Sequence, residues 1–223
     1  MLKLIIGNRA YSSWSMRGWL ACRQSGEEFE ELVVPMFGEE WDRHRGGDEF
    51  APSFGKVPIL WHGECVVWDS LAIIEFLADR VGRDRFWPED DAARGMARSM
   101  AAEMHSSFPN LRRELPMNVR RTYPPIEIAD DVRGDIDRIM QLWAQARARF
   151  AGKGDFLFGE WCAADIMFAP VVTRFITYGV PVPPFAGLYM KAVLSHPDVN
   201  DWIDKAQDEP WVIDQYESDS EAA

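Results

Sequence analysis

The stretch that decides the fold is LKLIIGNRAYSSWSMRGWLACRQSG, residues 2–26. Its first five residues form a short apolar run, as a buried strand requires, and Gly7-Asn8 ends it. Met16, Trp19, Leu20 and Arg23 then recur at helical spacing as far as QSG, where Gly26 supplies the stop. Ser12, Ser13 and Ser15 crowd the junction between this strand and this helix. Serine is a good helix cap, but a hydroxyl at a helix N-terminus can also face an anionic ligand.

Working outward, FEELVVP reads as a second strand closed by Pro35, and residues 39–45 as a short helix in a polar loop. VPILW and CVVW flank HGE, a strand–turn–strand signal. Leu71, Ile74, Leu77, Ala78 and Val81 then mark an amphipathic helix that starts at WDS. The order is β-α-β-(α)-β-β-α. The helical crossover implies a parallel first pair and the hairpin an antiparallel one, hence a small mixed sheet with helices on its faces.

From about residue 90 the pattern turns helical. DDAARGMARSMAAEMHSSFPNLRREL reads as one long helix bent near Pro109. Ile136, Ile139, Met140, Trp143 and Phe150 mark another. CAADIMFAPVVTRFITYG is apolar nearly all round and therefore central, with a kink expected at Pro170. Shorter helices follow PPF and SHPDVN. The expected organisation is an α/β domain over 1–80, a linker VGRDRFWPED over 81–90, an all-helical domain over 91–216, and a mobile acidic tail over 217–223.

Composition narrows the function classes. A hydrophobic share of 47%, with ten Trp, is ample for a core and argues against disorder. The net charge of −12 argues against nucleic acid, whose phosphates call for clustered Lys and Arg. Cys22, Cys65 and Cys162 are far apart with no C-x-x-C, which fits a reducing compartment and gives no zinc ribbon or redox pair. MLKLII is too short an apolar run for a signal peptide, and no run approaches a membrane span. These features point to a cytoplasmic protein without membrane partners and without a metal site.

The layout resembles that of the cytosolic glutathione transferases of bacterial type, and four separated motifs agree with it. SSWSMR (12–17) resembles the SSC-x-x-R signature of the zeta, or maleylacetoacetate isomerase-like, class, with Trp14 where that class has Cys. KVPIL (56–60) resembles the element that carries the cis-proline. WDSLAIIEFLADR (68–80) resembles the glutathione-binding turn and its helix, and WCAADIMFAPVVTRF (161–175) the opening of the central helix. The resemblance implies a thioredoxin-like α/β N-terminal domain, an all-α C-terminal domain, glutathione as co-substrate, a homodimer and a role in detoxification.

It also implies roles for particular residues. A serine hydroxyl would stabilise the glutathione thiolate. Family position makes Ser12 the first choice and Ser13 the second, whereas alignment on Arg17 favours Ser13. Ser15 would cap or support, and Arg17 would stabilise glutathione or bridge to an acidic neighbour. The Val57 backbone, turned outward by a cis bond to Pro58, would pair with the extended tripeptide, although the residues alone favour trans. Lys56 would meet the glycine carboxylate. Ser70 and Asp69 would meet the carboxylate and ammonium of the γ-glutamyl end. His105, Ser106, Phe108 and Arg112 are the acceptor-site candidates. Arg112, Arg113, Arg120 and Arg121 together fit either an anionic acceptor or a solvated face. Cys162 stands at the cap position of a Ser/Thr-x-x-Asp box completed by Asp165.

The implied function is a glutathione transferase that conjugates or isomerises a small electrophile. The alternative is a non-catalytic interaction or regulatory protein of the same fold. A disulfide-handling transferase is disfavoured, because those use Cys where this chain has Ser.

Overall fold

The computed structural model describes residues 1–152 and 154–217. Strand β1 (Leu2–Ile6) pairs in parallel with β2 (Phe29–Val33) and antiparallel with β3 (Ile59–His62), which in turn pairs antiparallel with β4 (Cys65–Val67). The four-stranded order β2-β1-β3-β4 is the expected mixed sheet. Period-two alternation divides β1 between two cores. Leu2, Leu4 and Ile6 face helices α1 (Ser13–Ser25) and α3 (Ser70–Val81), while Ile5 joins Val34, Trp41, Phe50 and Ile59 under the short α2 (Glu39–Arg45). Gly26, at φ 71°, ends α1 in the left-handed conformation that glycine adopts without penalty.

Six α-helices follow among the described residues: α4 (Asp91–Ser106), α5 (Pro109–Glu114), α6 (Asp130–Phe150), α7 (Ala163–Thr177), α8 (Pro184–Leu194) and α9 (Pro197–Gln207). α7 is buried almost throughout and packs on α1, α4 and α8, as its apolar sequence requires. Pro170 lies in its interior. No helix among the described residues is long and apolar enough to cross a membrane.

Two expectations need correction. The long helix over 91–115 is broken rather than bent. Proline disfavours a helical residue before it; Phe108 sits there at φ 64°, and Pro109 opens α5 as its first residue. Within the segment 81–90, Phe86 and Trp87 are buried and the Phe86 carbonyl accepts the Ala163 N–H at 2.8 Å. Glu217, the first residue of the supposed mobile tail, accepts hydrogen bonds from Tyr11, Asn118 and Arg121. Residues 218–223 lie outside the described residues.

Candidate functional site

The junction of β1 and α1 is tied by its serines. Ser12 caps α1, accepting the Ser15 N–H at 3.3 Å and donating its own proton to Ser15 Oγ at 2.8 Å. Ser15 Oγ also accepts the Gly7 N–H at 2.9 Å, which locks the end of the strand to the first helical turn. Ser13 is placed differently. Its Oγ accepts Nη2–H of Arg174 at 3.3 Å, and its own proton has no acceptor among the described residues.

Beside this helix end lies a groove of about 690 Å³, lined by Trp14, Met36, Lys56, Val57, Pro58, Trp68, Asp69 and His105 among others. The Val57–Pro58 bond is cis, and neither the N–H nor the C=O of Val57 has a protein partner among the described residues. α1 approaches this loop so closely that a Cβ on Gly18 would stand 2.8 Å from the Pro58 ring. Asp69 caps α3, with Oδ1 accepting the N–H groups of Leu71 at 3.0 Å and Ala72 at 3.4 Å. Its other oxygen faces His105 Nε2 at 3.0 Å, so a residue of α4 helps wall the groove. Ser70 Oγ is buried without a hydrogen-bond partner among the described residues.

A second, smaller cavity of about 200 Å³ shares Trp14 and Met36 with the groove and adds Tyr11, Ser12, Ser13, Arg112, Arg174 and Tyr216. Its surroundings are cationic. Arg17, fully buried, donates Nε–H to the Met167 carbonyl at 2.9 Å and leaves both Nη groups without a partner among the described residues. Arg112 donates to the carbonyls of Ser107 and Met104, and its Nη1 has no partner among the described residues. The guanidiniums of Arg17 and Arg112 lie 4.9 and 4.7 Å from the Trp14 ring centroid, a cation–π arrangement that offsets part of their desolvation. Burial pushes the Arg174 guanidinium down to about 9, with Arg112 adding to the effect. Burial likewise lowers Arg17, helped by the charges of Arg112 and Arg174, and lowers Arg112 against the pull of Asp135.

The structure thus brings Lys56, Val57, Pro58, Asp69 and His105 to one groove, and Ser12, Ser13 and Arg112 to the cavity beside it. His105 stands in the groove rather than in the smaller cavity. Ser106 is exposed and donates back to the Ala102 carbonyl, while Phe108 is packed in the core; neither lines either space. Arg17 and Ser15 lie behind the wall and do not line it. The arginine group disperses. Arg113 is exposed and pairs with Glu114 and Asp131, Arg121 holds Glu217, and Arg120 binds Tyr11 and two carbonyls near the C-terminus. Arg174 and Tyr216 are cavity residues that the sequence reading passed over. A lone cation in an otherwise largely apolar helix was the available signal for Arg174.

Residues 11–80 match the family model described as the N-terminal domain of glutathione S-transferase. Glutathione S-transferase GstB of Escherichia coli K12 is 26% identical over 162 residues, 70% of this chain and 78% of that protein. A glutathione transferase homolog from Burkholderia gl BGR1, solved with bound glutathione, superposes with a TM-score of 0.68 at 21% identity, over 93% of this chain and 98% of its own. The chain has the glutathione transferase fold. Holo maleyl pyruvate isomerase, a bacterial zeta-class glutathione S-transferase, shares this fold with a TM-score of 0.69 at 22% identity, over 93% and 99% of the two chains. Within the glutathione transferase fold, the groove described above lies where the cis-proline loop, the start of α3 and the start of α1 converge.

Proposed function

We propose that the protein is a glutathione transferase in which Ser13 donates a hydrogen bond to the thiolate and the activated sulfur attacks a small electrophile. The family-model match and the relatives named above support this reading. The observation that carries it is the convergence of three elements on the groove and the cavity that adjoins it. These are an unpaired extended backbone at Val57, an Asp-Ser helix start at Asp69-Ser70, and a serine-bearing helix start at Ser13. Together they suit an extended tripeptide with one anionic end and a central thiol.

Thiol chemistry needs the anion, and a free thiol of pKa about 8.5 is only about 3% ionised near pH 7. A hydrogen bond to a charged acceptor contributes roughly 1.5–3 kcal/mol, which lowers that pKa by about 1–2 units. The helix N-terminus adds roughly 0.3–1 kcal/mol. Ser13 suits the role better than Ser12. The Ser12 proton is engaged by Ser15, whereas Ser13 has its proton free and receives an N–H from Arg174, which polarises its O–H. No general base is required when the positive field already stands in place.

The activated sulfur would conjugate an electrophile or add transiently to a maleyl-type cis-alkene and leave after bond rotation. We read the protein as a cytoplasmic homodimer, a state that sedimentation would test. Glutathione-affinity capture combined with turnover of a general electrophile and of a maleyl-type cis-alkene tests the activity. Capture without turnover of either would instead support the non-catalytic module. Failure to bind glutathione would overturn the site.

A further inference from the structure

The turn that leads into the serines is held from the far end of the chain. The Asn8 carbonyl accepts the N–H groups of Tyr11 at 3.3 Å and Ser12 at 2.9 Å, so residues 8–12 close into one turn that runs directly into α1. Glu209, two residues past the end of α9, reaches across this turn. Its Oε1 and Oε2 each accept the Arg9 N–H at 2.9 Å, and Oε2 also accepts the Ala10 N–H at 3.3 Å. The Arg9 guanidinium donates Nη1–H to Oε1 at 3.1 Å. Glu209 is anchored in turn by Arg120, whose Nη1–H is donated to the Glu209 carbonyl at 2.7 Å.

A buried carboxylate is costly and is ordinarily kept for its partners. The Glu209 side chain is only 4% exposed. Neutralising Arg9 does not account for it, since Arg9 also pairs with Glu31 and lies 5.9 Å from the Trp202 ring centroid. The carbonyls of the same two residues are served by other groups. Trp202 donates Nε1–H to that of Arg9 at 3.2 Å, and Val119 its N–H to that of Ala10 at 3.1 Å. What Glu209 adds is one charged acceptor for two consecutive backbone N–H groups, the stronger and shorter kind of hydrogen bond.

Resting on the glutathione transferase reading, we propose that Glu209 is a positioning residue for thiolate activation: its carboxylate fixes the Arg9–Ala10 backbone and, through the closed turn, the placement of the Ser13 hydroxyl. Glu209 lines neither the groove nor the smaller cavity, so it acts through this turn and not on the ligand. Ser13 lies three residues beyond Ala10, and the Ser12 N–H bond to Asn8 carries any shift of Arg9 and Ala10 into the start of α1. A hydrogen bond to an anion is sensitive to such shifts, and a misplacement of about 1 Å can cost about a hundredfold in rate. Lys56, Val57 and Asp69, which would hold the rest of the tripeptide, belong to other elements and do not touch Glu209. The clamp therefore bears on the chemistry at sulfur and leaves the affinity for glutathione nearly alone.

Glu209→Gln and Glu209→Ala test this. Glutamine keeps the length and one acceptor oxygen but turns an NH₂ donor toward the same N–H groups, whereas alanine removes both acceptors. The pKa of bound glutathione, read from ultraviolet thiolate absorbance against pH, is expected to rise in the order wild type, Gln, Ala, by about one unit in all. Turnover of an activated aryl halide should show kcat near neutral pH falling about tenfold in Glu209→Ala and about threefold in Glu209→Gln, with KM for glutathione changing less than about twofold. A role confined to stability predicts a different result: a lower thermal midpoint, with the bound-thiol pKa and kcat of the folded protein as in wild type. That result overturns the proposal, and so does a loss carried by KM alone. Where Glu209→Ala fails to fold, Glu209→Gln carries the same comparison. Wild-type protein that lowers the thiol pKa and turns over, beside variants that match it, overturns the clamp and keeps the proposed function. Wild-type protein that does not bind glutathione overturns the proposed function and this role with it.

Discussion

Arg174, on the buried helix α7, donates Nη2–H to the hydroxyl oxygen of Ser13 at 3.3 Å, joining the helical half of the molecule to the start of α1. The contact leaves the Ser13 proton free while Ser12 spends its own on Ser15. Ser13→Ala is therefore expected to raise the pKa of bound glutathione by about 1–2 units, as loss of one hydrogen bond to an anion does. kcat/KM near neutral pH should fall roughly 10–100-fold. Ser12→Ala should cost about 1 kcal/mol of stability through the lost cap and shift the thiol pKa less. Ultraviolet thiolate absorbance against pH, together with thermal unfolding, separates the two. A larger pKa shift in Ser12→Ala would reverse the assignment.

Asp69 serves α3 with one oxygen and faces the groove and His105 with the other. Asp69→Asn keeps an oxygen for the cap and removes the charge. Thermal stability should change little, while the glutathione dissociation constant should rise about tenfold, equivalent to about 1.4 kcal/mol. Asp69→Ala should add a loss of about 1 kcal/mol in stability. Calorimetric titration beside thermal unfolding reads both, and unchanged affinity in Asp69→Asn would remove Asp69 from the glutathione site.

Gly18 is a helix interior position where alanine would ordinarily add about 1 kcal/mol. Here its Cβ would meet the Pro58 ring at 2.8 Å, and overpacking costs about 1–3 kcal/mol. Gly18→Ala should therefore lower the thermal midpoint and weaken glutathione binding by displacing the Val57–Pro58 loop. A stabilised variant with unaltered affinity would show that the loop yields freely.

At the start of α7, Asp165 accepts the N–H groups of Leu157 and Cys162 at 3.1 and 3.0 Å, and burial raises its pKa from 3.8 to about 6. The folded state therefore binds this proton more tightly than the unfolded chain. The associated stability is complete below about pH 3.8 and is lost as pH rises through about 6. Relative to Asp165→Asn, the wild type should thus be about 2 kcal/mol more favoured at pH 4.5 than at pH 7. Urea unfolding at both values checks the sign. Cys162→Ser places a stronger hydrogen-bonding group at the same cap and should keep or raise the thermal midpoint.

The dispersed arginines make a paired expectation. Arg113 is exposed and its ion pairs are solvated, so Arg113→Ala should leave the thermal midpoint close to that of wild type. Arg120 fastens the carbonyls of Glu209 and Trp211 and the Tyr11 hydroxyl, at 2.7, 2.7 and 2.6 Å. Arg120→Ala should cost about 1–3 kcal/mol and speed proteolysis around residues 208–217. Equal protease resistance in the two variants would show that the C-terminal segment is held by packing alone.

What the sequence determined by itself is local. Alternation and helical spacing defined the strands and helices, Gly26 and Asp69 punctuated them, and the apolar run from Cys162 to Gly179 announced the central helix. Those features rest on interactions between near neighbours in the chain, so they can be read along it. The break at Phe108 escaped because a proline at a first helical position and one inside a bent helix look alike in sequence. Tertiary structure alone decided which serine keeps its proton. That depends on Arg174, 161 residues away, and on Ser15 turning toward Gly7. It also separated the four neighbouring arginines and gathered three distant ones, because burial and pairing are set by what the fold packs around a charge. Hydrogen-bond competition and desolvation act through space, and no spacing rule along the chain carries them.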